Sequence, residues 1–236
     1  MTEPLVLLPA MMCDARLFVP QIAALSAQRS VTVAHLGQAD RIEDIAAALL
    51  ADLPPRFALA GLGLGGIVAL EMIRAAPERI TRLALISTSP SPESPQFAAA
   101  REPRIIAAQS GRLADCLRED LPGSALAAGP ARAGVLALVM AMGLALGPQV
   151  YVRQSRALQR RRDAQSTLRR IRVPALIVVG EHDTIVPLRR QEFIAEMIAD
   201  ARIVVLPGSG HLPTLEQPDA VTEVLRRWLT PPLVLR

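Results

Sequence analysis

Lysine and asparagine are absent from this 236-residue chain, tyrosine and tryptophan occur once each, and there are two cysteines. Lysine and asparagine both have A-rich codons, so their joint absence points to a GC-rich coding sequence rather than to selection. All 26 basic residues are therefore arginine, and against 22 acidic residues they leave a net charge of +4. A nucleic-acid surface needs arginines gathered on one face with aromatics between them. The densest run, Arg160-Arg161-Arg162 followed by Arg169-Arg170, contains no aromatic and reads as a solvated helix face. Cys13 and Cys116 lie too far apart in sequence for a metal-spaced pair or a disulfide framework. Met1-Thr2-Glu3-Pro4 lacks the basic start of a secretory signal. The longest apolar run, 133–147, is too short to span a bilayer and is interrupted by Gly134 and Gly143. These absences lead us to expect a cytoplasmic, soluble protein with reduced thiols, no nucleic-acid partner and no membrane partner. They leave the oligomeric state open.

What is present is apolar: 51% of residues are hydrophobic, well beyond the range of disordered chains. The length suits one domain, or one domain carrying a large insertion. Short leucine-rich or β-branched runs recur at 5–8, 31–34, 57–60, 83–86, 175–179 and 203–206. Most do not alternate apolar with polar, which suits strands buried on both faces of a parallel sheet. Helical patterns separate them at 15–28, 42–53, 64–76, 188–199 and 214–229. Such alternation predicts βαβ units and an α/β, doubly wound, mostly parallel sheet. The rhythm fails from about Ser87 to Arg172, where Pro-rich turns lead into helical stretches only. We expect a core of 1–88 and 173–236 with a helical cap or lid at 89–172. Within it, the helix at 130–146 is apolar nearly all round and is expected either buried against the core or lining an acyl pocket.

The segment Gly61-Leu62-Gly63-Leu64-Gly65-Gly66, just after the third strand, fits two fingerprints. As G-x-G-x-x-G it would seat a pyrophosphate at a helix N-terminus, but that reading needs an acidic residue ending the next strand. That strand runs into Ser87-Thr88-Ser89, and the glycines follow the third strand rather than the first. As G-x-S-x-G it is a nucleophile elbow with glycine where serine belongs. The elbow reading demands an acid and then a histidine, each on a loop after a later strand. Gly180-Glu181-His182-Asp183 and Gly208-Ser209-Gly210-His211 appear in that order. Singly, Gly63 is a turn glycine, Asp183 a turn residue and His211 a loop histidine; their shared order and context carry the reading.

From about Pro4 to Leu229 the chain thus resembles the α/β-hydrolase superfamily, in particular small esterase-like or lactonase-like members with a helical cap. The resemblance implies that Asp183 is the triad acid, His211 the base and Gly63 the nucleophile position. It places the oxyanion hole at the backbone N–H groups of Met11 and Leu64. The first-strand loop reads Leu8-Pro9-Ala10-Met11-Met12 where relatives often carry His-Gly. Met12 and Met140 are expected at an apolar substrate pocket. His182, His35 and Cys13 are read as non-catalytic, and no cofactor or metal is implied.

Glycine adopts the elbow's positive φ without strain but removes the attacking hydroxyl. Three accounts follow. Gly63 could be a serine-to-glycine change introduced into an ester or lactone hydrolase. Alternatively, His211 and Asp183 work as an acid–base pair in a lyase, isomerase or cofactor-free oxygenase. In the third account the chain is a pseudoenzyme that binds a small ligand. Epoxide hydrolases and haloalkane dehalogenases fit less well, because they use an Asp nucleophile.

Overall fold

A computed structural model describes residues 2–230. Six strands form one sheet in the order β2-β1-β3-β4-β5-β6, and every neighbouring pair is parallel. They are β1 (Leu5–Leu8), β2 (Val31–Val33), β3 (Phe57–Leu62), β4 (Ile80–Ile86), β5 (Ala175–Gly180) and β6 (Ala201–Leu206). All six lie where the apolar runs predicted, most of them a residue or more longer. Strands β1, β3 and β5 are buried at every position, as strands covered on both faces must be. The edge strands β2 and β6 are partly exposed and carry Thr32 and Arg202 outward.

Helices α1 (Val19–Leu25) and α10 (Pro218–Leu229) cover one face of the sheet; α2 (Ile42–Asp52), α3 (Leu64–Ala75) and α8 (Leu188–Met197) cover the other. Two expected helices are divided. The segment 15–28 opens as a 3-10 turn, Ala15–Phe18, in which the Arg16 N–H is capped by the Asp14 carboxylate. The segment 214–229 is α9 (Pro213–Glu216) followed by α10, because Pro218 has no N–H with which to continue the first helix.

Between β4 and β5 the described residues hold no strand. They form α4 (Pro95–Ala107), α5 (Leu113–Asp120), α6 (Arg132–Arg160) and the short α7 (Gln165–Leu168). Helix α6 runs well past the apolar stretch 133–147 and is long and apolar enough to cross a membrane by length and composition alone. It is broken at Gly147 (φ 81°, ψ 172°), next to Pro148. Its first half packs Val135, Val139 and Met142 into the α1/α10 side of the core. Its second half packs Ala157 and Leu158 into the α2/α3 side. The kinked helix therefore strides over the end of the sheet where the strands finish. The first half is thus packed against the core on one side, one of the two placements expected, while Ala133, Gly134, Ala137, Ala141, Leu144 and Ala145 on the other side face solvent. Five of these six are Ala or Gly, whose exposure leaves little apolar area in water. A third cluster joins Leu113, Cys116, Leu117 and Tyr151 of this layer to Met12 from the loop after β1.

Candidate active site

The ends of β1, β3, β5 and β6 bring together the four segments singled out in the sequence. β3 passes directly into α3 through Gly63, at φ 54° and ψ −114°. That is left-handed territory, which a side chain enters only with strain. The turn is held by its backbone: Gly63 N–H donates to the Ile86 carbonyl at 3.0 Å. Its own carbonyl accepts from the N–H of Gly66 (3.1 Å) and from the Thr88 hydroxyl (2.7 Å). Gly65 is required for a different reason, since a Cβ there would overlap the Leu8 carbonyl of β1. The elbow thus seats α3 directly on the neighbouring strand.

Asp183 and His211 meet across the loops that follow β5 and β6. Asp183 Oδ1 accepts the N–H groups of Ile185 and Val186, each at 2.9 Å. Its Oδ2 lies 2.9 Å from His211 Nδ1. The Asp183 side chain is wholly buried and that of His211 is 11% exposed. A carboxylate with two amide donors on one oxygen is an acceptor, so it draws a proton onto Nδ1 and leaves Nε2 with its lone pair. That Nε2 lies 3.8 Å from the position a Cβ on Gly63 would take.

The N–H groups of Met11 and Leu64 meet no acceptor among the described residues, and Leu64 opens α3, where the helix dipole favours an anion. Met12 also has positive φ, 54°, and its N–H is taken by Gln154 Oε1 at 2.8 Å. Gln154 is 1% exposed, and its amide group reaches on to the Leu36 carbonyl at 3.3 Å. One side chain of α6 thereby ties together the loops after β1 and β2. Neither Gln154 nor Thr88 stood out in the sequence. The only hint was a polar Gln154-Ser155 pair on an otherwise buried stripe of helix.

Met12 is 2% exposed and, with half-buried Met11 and Met140, packs in the third cluster. Arg101 of α4 approaches the Met11 sulfur at 3.8 Å while paired with Glu93. His35 and His182 are exposed, and the His182 side chain lies beside the Glu181 carboxylate at 3.8 Å. Burial pushes the Cys13 thiol up to about 12, which leaves it protonated. Among the described residues no three His, Cys, Asp or Glu side chains are placed to share a metal ion. A surface concavity of about 340 Å³, lined by Ser89, Ser91, Arg189, Arg190 and Phe193 among others, does not include Gly63, Asp183 or His211.

The family model described as the alpha/beta hydrolase family matches residues 5–224. The chain is 32% identical over 185 residues to a pimeloyl-[acyl-carrier protein] methyl ester esterase of Aromatoleum aromaticum, covering 73% of each protein. Among solved structures it is similar to an enol-lactonase from Burkholderia xenovorans LB400. There the TM-score is 0.86 and the identity 25%, over 98% of this chain and 92% of that one. A thermophilic esterase from Thermogutta terrifontis shares the fold, with a TM-score of 0.87 at 24% identity, over 97% and 90% of the two chains.

Proposed function

The chain belongs to the α/β hydrolase family, and on that premise we propose that it is built to cleave a small, largely apolar carboxylic ester or lactone and is an inactivated serine-to-glycine form at position 63. One observation carries this reading: His211 Nε2, backed by Asp183, points at 3.8 Å toward the place of a Cβ on Gly63. Asp183 is the acid, His211 the base and Gly63 the nucleophile position. With serine at 63, the hydroxyl attacks the carbonyl carbon as His211 takes its proton. The N–H groups of Met11 and Leu64 hold the oxyanion. His211 then returns the proton to the departing alkoxide, and water repeats the sequence on the acyl-enzyme. With glycine no acyl-enzyme forms. His211 can only activate water, and the remaining acceleration is about 10³–10⁴ over the uncatalysed rate.

Among the described residues, 2–88 and 173–230 are the hydrolase core and 89–172 the cap, with Met12 and Met140 in the apolar wall of the substrate site; residue 1 and residues 231–236, which the sequence also assigns to the core, lie outside the described residues. The reaction takes a small-molecule ester or lactone in the cytoplasm, with no cofactor, metal, nucleic-acid or membrane partner. A second reading is favoured by the intact Asp183–His211 pair beside a position that has no nucleophile. In it the pair performs acid–base chemistry of a lyase, isomerase or cofactor-free oxygenase type, or survives in a ligand-binding pseudoenzyme.

The deciding experiment is Gly63→Ser, assayed on p-nitrophenyl esters of several chain lengths and on simple lactones. Turnover that appears only in the serine form is the expected result. Conversion of a substrate by the glycine form that is abolished by His211→Ala would establish acid–base chemistry instead. Ligand binding with both forms inert would establish the pseudoenzyme.

A further inference from the structure

Asp183 fixes the ring of His211 but not the backbone that carries it. That backbone is held elsewhere. Glu216, at the end of α9, accepts the N–H of Gly210 at 2.8 Å and the N–H of Ala127 at 2.7 Å on Oε2. It accepts the N–H of Leu212 at 2.9 Å on Oε1. One half-buried carboxylate therefore satisfies the two amides flanking His211 and one amide from the segment that leads into α6. His211 contributes a fourth tie, its own N–H donating to the Ala125 carbonyl at 2.8 Å. Contact here is backbone on backbone: a Cβ on Gly210 would overlap that same Ala125 carbonyl.

We propose that Glu216 is a positioning residue, clamping the His211 loop to the 125–127 segment so that placement of the base depends on how the helical layer between β4 and β5 is docked. The proposal rests on the reading of His211 as a base. Its chemistry is that of an acceptor-only group: an ionised carboxylate offers about four lone-pair directions and can serve three donors at once. Glutamine cannot replace it fully, because one end of its amide would set a donor against a donor. Alanine would leave all three N–H groups without an acceptor. Misplacement of a reacting group by about 1 Å can cost on the order of 10²-fold in rate.

The chain has three histidines, and two of them, His35 and His182, are exposed. The imidazole proton that His211 shares with Asp183 can therefore be followed by NMR in histidine-labelled protein as it stands, with glycine at 63. In the unaltered protein this proton should resonate at low field and exchange slowly with solvent. Glu216→Ala should broaden or abolish the signal, and Glu216→Gln should speed its exchange to a lesser degree. On a Gly63→Ser background, Glu216→Ala should lower kcat by about 10²-fold with KM changed by less than about twofold, the pattern of a lost transition-state contact. An unchanged low-field proton and unchanged kcat, with only a lower melting temperature, would overturn the proposal. So would an unchanged proton in Glu216→Gln if the alanine form does not fold. If Gly63→Ser is inert but the proton still responds to Glu216, the clamp stands and the ester reading falls. If Gly63→Ser is active and the proton ignores Glu216, the ester reading stands and the clamp falls.

Discussion

At the scale of single residues, Gly63 combines two quantities with opposite signs. Its φ of 54° costs glycine nothing, whereas a side chain held there pays about 1–3 kcal/mol. Crowding adds little, since the nearest contact of an added Cβ is the Ala10 Cβ at 3.5 Å. Gly63→Ser is therefore expected to gain activity and lose stability together, read as turnover beside a lower urea midpoint. A serine form as stable as the glycine form would mean that the turn relaxes on substitution. Asp183 supplies the complementary test. Asparagine at 183 still fits, but its amide can donate where the carboxylate only accepts, which reverses the tautomer of His211. On the Gly63→Ser background Asp183→Asn should lower kcat by roughly 10⁴-fold while the fold persists, as neutralising a triad acid does. A loss below about tenfold would show that Asp183 does not orient the base.

At the scale of elements, the loop after β1 depends on a helix far along the chain. Met12 occupies a left-handed conformation without being glycine, and the buried amide of Gln154 in α6 receives its N–H. That contact uses the Met12 donor and leaves the Met11 N–H, the proposed oxyanion donor, without an acceptor among the described residues. Gln154→Leu should strand the Met12 N–H and the Leu36 carbonyl, at about 1–3 kcal/mol for each buried group left unpaired. Chemical denaturation measures that cost. On the Gly63→Ser background kcat should fall too, because the Met11 donor is no longer held. If stability drops and kcat does not, the loop keeps its shape without α6.

At the scale of the whole molecule, a parallel sheet is wrapped on both faces and one end is closed by a helical layer. Cys13 and Cys116, the chain's two cysteines, are buried in different parts of this assembly, Cys13 in the α1/α10 side of the core and Cys116 in the helical layer. The thiolate is the reactive form, and burial holds Cys13 protonated up to about 12. A thiol reagent at neutral pH should thus label neither cysteine in the native protein and both after unfolding. Early labelling of Cys116 alone would show the helical layer opening before the core.

Much of this architecture was legible in the chain. Strands covered on both faces must be apolar throughout, so β1, β3 and β5 announced themselves as unbroken runs, while β4 showed only its apolar end at 83–86 because Thr81 and Arg82 precede it. The order Gly63, Asp183, His211 was visible because each follows a strand end, where the side chains of an α/β sheet converge. That the first half of α6 packs on the core was expected, but which side faces water was not legible, because its pattern is apolar nearly all round. The break at Gly147 falls directly after the helix end expected at 146, whereas the break at Pro218 lies inside the single helix expected over 214–229 and depends on local backbone geometry. What the sequence by itself determined is the layered α/β topology and the three positions that face one another, since both follow from periodicity and from punctuation by glycine and proline. Tertiary structure alone decided which distant groups hold those positions. Gln154 under Met12, Thr88 on the Gly63 carbonyl and Glu216 on the Ala127 N–H are long-range hydrogen bonds to backbone atoms. Every residue carries such atoms, so the identities of the side chains could not reveal their partners.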